Sequence, residues 1–336
     1  MRFPWANIAL LFLLLLQLVT GYLGLVNGRM ERAWLLWAHG IGAYGILLLL
    51  LWKGAIVWGV LQRGKRWHPA RLAFLVLALL LIVVILLGVL WTFGGLEYAF
   101  GFSLISLHIY LAVPLIVLLA FHAWRMRWIW RVSGATDRRA FLRMGAVALG
   151  GVAFWWLARR LQLARRFTGS YEIGSYGGWF PRVSWINDDP EPIDADNWQL
   201  ALHGAVRQSL QLSYEQVREL AEEELPATLD CTGGWYSTQL WRGIPLRRLL
   251  DRAGVDQNAR SVTVHSVTGY WRRFSLGEAQ EFLLATEVAG QPLSHGHGFP
   301  LRLVAPRRRG FAWVKWVTHI TVDEVSPYWQ PPLPLQ

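Results

Sequence analysis

The first half of the chain consists of long apolar stretches that short polar segments interrupt. Each stretch approaches or reaches the roughly 20 residues that a helix needs to cross the hydrocarbon core of a bilayer. The fifth stretch is the shortest and is rich in glycine. We therefore predict five membrane-spanning helices, at about Phe3–Val26, Trp34–Val60, Leu72–Phe93, Leu104–Trp124 and Met144–Leu163.

The pattern changes after about Thr168 to short apolar segments separated by turn signals such as Gly233-Gly234. Ser213–Glu223 begins with the Ser-x-x-Gln of a helical capping box, and Pro245–Ala253 has proline in its first turn. These features predict one α+β domain. Its predicted strands are Trp198–Val206, Thr228–Cys231, Ser261–Ser266, Trp271–Ser275, Leu301–Ala305 and Trp313–Val322.

Composition and charge support this division. The chain is 54% hydrophobic, has 21 tryptophans and a mean hydropathy of +0.30, and carries a net charge of +11. Residues 1–166 hold 18 Lys and Arg against 3 acids, whereas residues 167–336 hold 15 against 19. Because the excess base flanks the predicted helices, it indicates membrane topology rather than nucleic-acid binding.

The positive-inside rule places the N-terminus and the basic loops after helices two and four in the cytoplasm. Five crossings then place the C-terminal domain on the opposite side of the membrane. Four arginines in the last turns of the fifth helix and just after it do not follow the rule, although long exported domains tolerate such charge. They are Arg159, Arg160, Arg165 and Arg166.

The segment Thr136–Arg143 precedes the fifth helix and resembles a twin-arginine export signal, with Asp137 where that signal has Ser or Thr. The resemblance implies export of a folded, cofactor-loaded domain. Its position after four helices predicts an uncleaved anchor. The alternative is that these basic residues only mark the cytoplasmic end of a membrane helix.

Ionisable residues within predicted membrane helices are candidates for function because burying them in lipid is costly. His108 and His122, 14 residues apart, lie on nearly the same face of helix four, about 21 Å apart. His39 matches the depth of His108, and His68 matches that of His122. Two pairs at two depths predict two bis-histidine b haems. A helix-packing or interfacial role is the alternative for each histidine.

This half, residues 1–130, resembles the four-helix di-haem cytochrome b group that exchanges electrons with quinones. The resemblance implies a membrane quinone or quinol pool as partner. Residues 131–167 then hold the twin-arginine-like motif and the fifth helix, and residues 168–336 form the exported domain.

Cys231 is the only cysteine in the chain, and it lies at a predicted strand end beside Gly233. It has no partner for an intrachain disulfide. A thiolate is a ligand for a soft metal, and glycines allow a bulky cofactor to approach the backbone. A small buried apolar side chain is the alternative.

Four blocks of the exported domain together resemble the sulfite-oxidase-type molybdopterin domain: Thr228–Trp235, Trp241–Leu250, His297–Pro306 and Gly310–Trp316. The resemblance implies that Cys231 binds molybdenum and that Tyr270 lies at the catalytic centre. It also implies pterin contacts from Arg302 and Lys315, with Trp316 beside them. A pterin with dithiolene sulfurs and a phosphate makes Arg307, His297 and Gly233 further candidate contacts, and a solvated loop is the alternative for Arg307. The chain looks like the bacterial branch that includes a periplasmic methionine-sulfoxide reductase, here fused to its membrane partner.

The sequence thus predicts a multi-domain membrane protein: an all-α four-helix bundle with a fifth anchor helix, then an α+β sulfite-oxidase-like domain. The expected function is quinol oxidation in the membrane, electron relay through haems and two-electron oxo transfer at a molybdenum–molybdopterin centre. The substrate is expected to be a small molecule or an oxidised protein. A sulfite-type dehydrogenase that delivers electrons to quinone is the first alternative, and a haem protein with a cofactor-less binding module is the second.

Overall fold

A computed structural model of the chain describes residues 4–63, 69–126, 138–184 and 188–331. Its contacts divide the chain into two compact units, Met1–Tyr171 and Glu172–Gln336. The first unit is helical and the second contains two β-sheets.

Five long helices form the first unit, and each is long and apolar enough to cross a membrane. A short hairpin of β1 (Tyr98–Ala99) and β2 (Phe102–Ser103) joins the third helix to the fourth. The helices are α1 (Pro4–Val26), α2 (Trp34–Arg63), α3 (Pro69–Gly94), α4 (Leu104–Met126) and α5 (Arg138–Leu161). These bounds agree with the predicted spans, except that α5 begins six residues earlier, at the arginine pair.

The helices pack most closely as a group of three (α1, α2 and α5) and as a pair (α3 and α4). Where α5 crosses α2, a Cβ on Gly151 would come within 2.8 Å of the Ile41 carbonyl oxygen. A Cβ on Gly40 would similarly meet the Trp155 ring at 2.8 Å. Small residues at such crossings let two helix backbones approach each other. The fifth helix is therefore packed into the first unit.

The second unit combines short helices with two sheets, and β3 (Tyr171–Glu172) lies at the unit boundary. The helices are α6 (Tyr214–Glu219), α7 (Leu246–Ala253) and α8 (Leu276–Ala279). The remaining strands are β4 (Gln199–Gly204), β5 (Leu210–Ser213), β6 (Glu223–Asp230), β7 (Trp235–Pro245), β8 (Ser261–Ser266), β9 (Trp271–Ser275), β10 (Leu283–Val288), β11 (Gln291–Pro292), β12 (Arg302–Val304) and β13 (Val317–Asp323).

One sheet is built on β7, which pairs antiparallel with β6 and with β10, and β12 pairs with β10. The other has the order β5-β4-β13-β8-β9, with β13 and β4 parallel and the other pairs antiparallel. Its central strands carry fully buried apolar side chains such as the cross-strand neighbours Val264 and Ile320. The α+β prediction for this unit is confirmed.

Local signals located most of these elements. The predicted capping box is present, since the Ser213 hydroxyl accepts from the Gln216 N–H and the Gln216 side chain accepts from the Ser213 N–H. Strands β5, β7 and β10 and the two-residue strands β3 and β11 were not predicted. Strand β7 was missed because its eleven residues run directly into α7, and polar residues interrupt its apolar ones.

Candidate functional site

Cys231 lies in the tight turn between β6 and β7. Its N–H donates to the Trp235 carbonyl at 2.9 Å, and its own carbonyl accepts from the Gly234 N–H at 3.1 Å. Gly234 has a φ of 93°, which favours glycine at this position. The turn also directs the Gly233 N–H at the Cys231 sulfur, 3.3 Å away. The sulfur is therefore a buried acceptor with a fixed backbone donor.

Burial raises the pKa of the Cys231 thiol, and the Gly233 N–H and two arginines, Arg309 and Arg302, oppose that rise. A thiolate at this position therefore requires additional positive charge beyond those three groups. A bound metal ion supplies such charge.

Arg309 holds the Cys231 turn through its guanidinium. Its guanidinium forms a buried ion pair with Asp230, with 2.7 Å between Nη1 and Oδ1, and its Nη2 donates to the Cys231 carbonyl at 3.1 Å. The next residue, Gly310, lies so close that a Cβ there would be 3.2 Å from the Cys231 Cα. The sequence analysis missed the positioning role of Arg309. The sequence signal available for it is Asp230, the acidic residue directly before Cys231, because a buried acid there needs a basic partner.

The other two arginines of the same run face different surroundings. Arg307, predicted to contact the pterin, is about half exposed and forms an ion pair with Glu281. Arg308 pairs with Glu278 at 2.5 Å. Arg307 and Arg308 are therefore paired with glutamates away from Cys231. Arg309 is the arginine of this run that contacts the cysteine turn.

Arg302 is a buried cation close to the thiol. Its side chain packs among the rings of Phe180, Trp241 and Trp313, and its Nη1 donates to the His297 carbonyl at 2.9 Å. Its Nε is buried without a hydrogen-bond partner. Burial lowers its pKa to about 10, while the nearby Cys231 opposes the shift. No acid within the described residues forms an ion pair with Arg302, so its charge is available to an anionic ligand.

Two histidines lie in the 3₁₀ turn His295–His297 that precedes β12. The His297 Nε2–H donates to the Phe180 carbonyl at 3.0 Å, and its Nδ1 accepts from the Ser294 hydroxyl at 2.9 Å. Burial lowers the pKa of His297, which favours the neutral ring. The His295 Nε2–H donates to the Pro190 carbonyl at 2.8 Å, which leaves its buried Nδ1 as an acceptor without a donor.

Lys315 and Trp316 complete this group. A Cβ on Gly298 would lie 3.1 Å from the Lys315 Cβ and 3.2 Å from the Arg302 Cβ, so the two cations flank one glycine. The Lys315 Nζ donates to the Ser184 hydroxyl at 2.7 Å, and burial and the Arg302 charge lower its pKa to about 7. Trp316 is fully buried, and its Nε1–H donates to the His295 carbonyl at 2.8 Å.

Tyr270 approaches the cysteine turn from the β8–β9 connection. Its hydroxyl donates to the Phe311 carbonyl at 2.5 Å, and Phe311 follows the Gly310 that adjoins Cys231. Burial raises the pKa of Tyr270 well above its usual value, so its phenol remains protonated at neutral pH. The phenol is therefore a buried donor near the thiol.

Within the part of the second unit that the structure describes, one buried thiol thus lies with Arg302 and Lys315, two cations that form no ion pair with an acid. This set of donors suits an anionic metal cofactor. The family described as oxidoreductase molybdopterin binding domain matches residues 187–329. The oxidoreductase YuiH of Bacillus subtilis (strain 168), itself uncharacterized, is 31% identical over 45% of this chain and 78% of YuiH. The chain belongs to this family, and it is an oxidoreductase.

Plant nitrate reductases match the same part of the chain. Inducible nitrate reductase (NADH) 1 of Glycine max is 29% identical over 52% of this chain, and nitrate reductase (NADH) 1 of Nicotiana tabacum is 28% identical over 53%. The chain spans about a quarter of the length of these relatives. Among solved structures, sulfane dehydrogenase SoxCD from Paracoccus pantotrophus matches 40% of each chain with 23% identity and a TM-score of 0.39.

The residues at this site fit molybdopterin, which brings dithiolene sulfurs and a phosphate. Cys231 would supply one thiolate to such a cofactor, and the neighbouring cations would supply charge-assisted donors for its anionic groups. Arg302 with its unpartnered Nε and His295 with its unpartnered Nδ1 are buried polar groups that such a cofactor satisfies. Among the described residues, no three His, Cys, Asp or Glu side chains converge as a metal-binding group.

The first unit contains a second candidate site, formed by His39 of α2 and His108 of α4. Their ring centroids are 6.2 Å apart and the rings are nearly perpendicular, at 80°. With metal–nitrogen bonds of about 2 Å, two imidazoles that bind one metal ion from opposite sides have centroids about 6 Å apart. The structure therefore brings together the pair that the sequence matched by depth.

Hydrogen bonds set the tautomer of both rings. The His108 Nδ1–H donates to the Val84 carbonyl at 2.8 Å. The Thr20 hydroxyl donates to the Leu16 carbonyl, so its oxygen accepts from the His39 Nδ1–H at 3.3 Å. Each Nε2 is then unprotonated and carries a lone pair for a metal. Metal-binding histidines characteristically donate their other N–H in this way.

Glycines make room for the two rings. A Cβ on Gly21 of α1 would lie 2.9 Å from the His39 Cε1, and a Cβ on Gly88 of α3 would lie 3.3 Å from the His108 Cε1. Any larger residue would displace a ring. The other predicted pair is not joined here, since His122 is exposed on α4 and His68 lies outside the described residues.

Proposed function

We propose that the chain is a membrane-anchored molybdenum oxidoreductase that draws electrons from a quinol in its helical unit and reduces an oxidised substrate at its molybdopterin domain. The proposal rests chiefly on one observation: the matched His39–His108 pair and the buried Cys231 site occupy the same chain. A single polypeptide thus carries the ligands for an electron carrier and for an oxo-transfer centre.

At the molybdopterin site, molybdenum supplies a two-electron redox centre at which an oxygen atom is exchanged. Cys231 holds the metal, and the Gly233 N–H supports its sulfur charge. Arg302 and Lys315 bind the anionic groups of the pterin, and His297 accompanies them as a neutral ring. Tyr270 stays protonated and would donate to a substrate oxygen once its hydroxyl turns away from the Phe311 carbonyl.

In the helical unit, His39 and His108 hold one b haem, which supplies one-electron transfer. Their fixed tautomers and the adjacent glycines support this assignment. His122, with His68 as its partner, is proposed to hold a second haem. The length and apolarity of the five helices support a bacterial inner membrane as the location, with the molybdopterin domain in the periplasm.

The reductive direction is supported by the relatives that the chain matches over its catalytic domain, which are nitrate reductases by name. Nitrate reduction removes an oxygen atom from nitrogen, so an S- or N-oxide is the class of substrate proposed here. The alternative is a sulfite-type dehydrogenase. In it the same cofactors would carry electrons in the opposite direction, from the substrate to quinone.

The test is a metal and haem analysis of the full chain in detergent, followed by spectra before and after a quinol analogue is added. We expect molybdenum, a low-spin haem that the quinol reduces, and haem reoxidation when an S- or N-oxide is added. His39→Ala and His108→Ala should each remove the same haem. A haem that both variants retain would contradict the assignment, and haem reduction by sulfite would reverse the direction.

A further inference from the structure

Arg165 lies in the segment after α5, next to the end of α3 that is closest to the histidine pair. Its guanidinium donates to the Tyr171 hydroxyl, which in turn donates to the Trp91 carbonyl at 2.8 Å. Trp91 lies about one helical turn beyond Gly88, the glycine that contacts His108. Arg165 is therefore connected to the wall of the proposed haem site.

The surroundings of Arg165 lack an anion. Burial lowers its pKa, and the groups that interact with it most strongly are the neutral phenols of Tyr171 and Tyr44. Its Nη2 donates to the Gln162 side chain at 2.5 Å. No carboxylate in residues 4–63, 69–126, 138–184 or 188–331 forms an ion pair with Arg165. A buried cation without a countercharge is costly, so this position favours an anionic ligand.

The neighbouring arginines differ from Arg165 in their contacts. Each of the other three that depart from the positive-inside rule lies over an aromatic ring: Arg159 over Trp37 and Trp155, Arg160 over Trp156, and Arg166 over Phe167. Arg165 instead points toward α3 and the two phenols. Of these four arginines, Arg165 is the one whose contacts lead through Tyr171 to α3.

We propose that Arg165, held in place by the Tyr171 hydroxyl, binds a propionate carboxylate of the haem that His39 and His108 hold, an inference that rests on the proposed function. A haem held through its iron carries two carboxylates that need partners when they leave water. The planar guanidinium donates to a carboxylate through two parallel hydrogen bonds. The pair neutralises both buried charges and fixes the rotation of the haem about its iron–nitrogen axis.

The test compares haem with haem dimethyl ester, in which both propionates are uncharged. The full chain is produced without haem, and its affinity for each form is measured by titration in detergent. Arg165→Gln should weaken haem binding about tenfold or more, the range of one charge-assisted hydrogen bond. The ester should bind the parent and the variant with nearly equal affinity. Arg165→Lys, which keeps the charge, should recover part of the loss.

Arg160→Gln is the matched control, because Arg160 lies five residues earlier, in the last turn of α5, with its guanidinium over Trp156. It should leave both affinities unchanged. Equal weakening of haem and ester in Arg165→Gln would show a structural role and overturn the inference, as would unchanged haem affinity. If haem binding did not depend on His108, the proposed function would be overturned. If haem binding depended on His108 but not on Arg165, this inference alone would be overturned.

Discussion

Changing Asp230 to Asn tests the buried ion pair between Asp230 and Arg309 that holds the Cys231 turn. Asp230 and Arg309 are 3% and 5% exposed, and their ion pair also holds the guanidinium that donates to the Cys231 carbonyl. Asparagine keeps the shape of the side chain but removes its charge. The guanidinium then remains buried with no countercharge.

The expected cost follows from that burial. Breaking a buried ion pair by removing one partner costs about 3–5 kcal/mol, because the other charge is left uncompensated. For a domain of this size, each kcal/mol lowers the melting temperature by about 2–4 °C. The second unit of Asp230→Asn should therefore unfold about 6–20 °C below the parent.

The chain provides its own control in the exposed pair of Arg307 and Glu281, which are both 53% exposed. Exposed ion pairs contribute about 0–1 kcal/mol, so Glu281→Gln should lower the melting temperature by less than about 4 °C. Both variants are measured by thermal unfolding of cofactor-free full chain, because a bound cofactor would add its own stabilisation. Molybdenum content is then measured in cofactor-loaded protein.

We also expect Asp230→Asn to reduce molybdenum content, whereas Glu281→Gln should retain it. The reasoning would be refuted if the two variants melted within a few degrees of each other. Normal molybdenum loading in a strongly destabilised Asp230→Asn variant would refute the positioning role of Arg309 while leaving the energetic argument intact.

Three further predictions concern the thiol, the histidines of the second sheet and the arginine pair. Cys231→Ser should abolish oxo transfer and molybdenum binding but leave the haem spectrum unchanged, because the histidines lie in the other unit; full activity would remove Cys231 as the ligand. Burial and the neighbouring His319 lower the pKa of His265 to about 4, below its ordinary value of 6.5. The unfolded chain therefore binds the proton first, and the free energy of unfolding of the second unit should fall as pH drops from about 6.5 toward 4. Denaturant titrations at pH 7 and pH 5 should show a smaller decrease in His265→Gln, and equal decreases would contradict this linkage. Replacing Arg138-Arg139 with Lys-Lys should leave the second unit protected from protease added outside the cell, since Lys-Lys keeps the charge but not the export signal; unchanged export would reduce the pair to a topology signal.

The amino-acid sequence predicted the elements whose causes are local. A helix long enough to cross a bilayer requires about 20 consecutive apolar residues, and that requirement located all five long helices. The capping box at Ser213 is likewise local, since its two partners are three residues apart. Cys231 was identified because a lone cysteine beside glycines suits metal ligation, and its family blocks were confirmed by the match over residues 187–329.

The tertiary structure decided which polar groups meet. The run of three arginines looks uniform in sequence, but only Arg309 reaches Asp230, 79 residues away, because β6 and the late loop adjoin in the fold. Helical spacing matched His39 to His108 in depth, yet their 6.2 Å separation and the orientation of each Nε2 depend on Thr20 and Val84 of two other helices. Periodicity reports which face of a segment is apolar, whereas the partner of a buried charge or ring is set by chain packing between segments far apart in sequence.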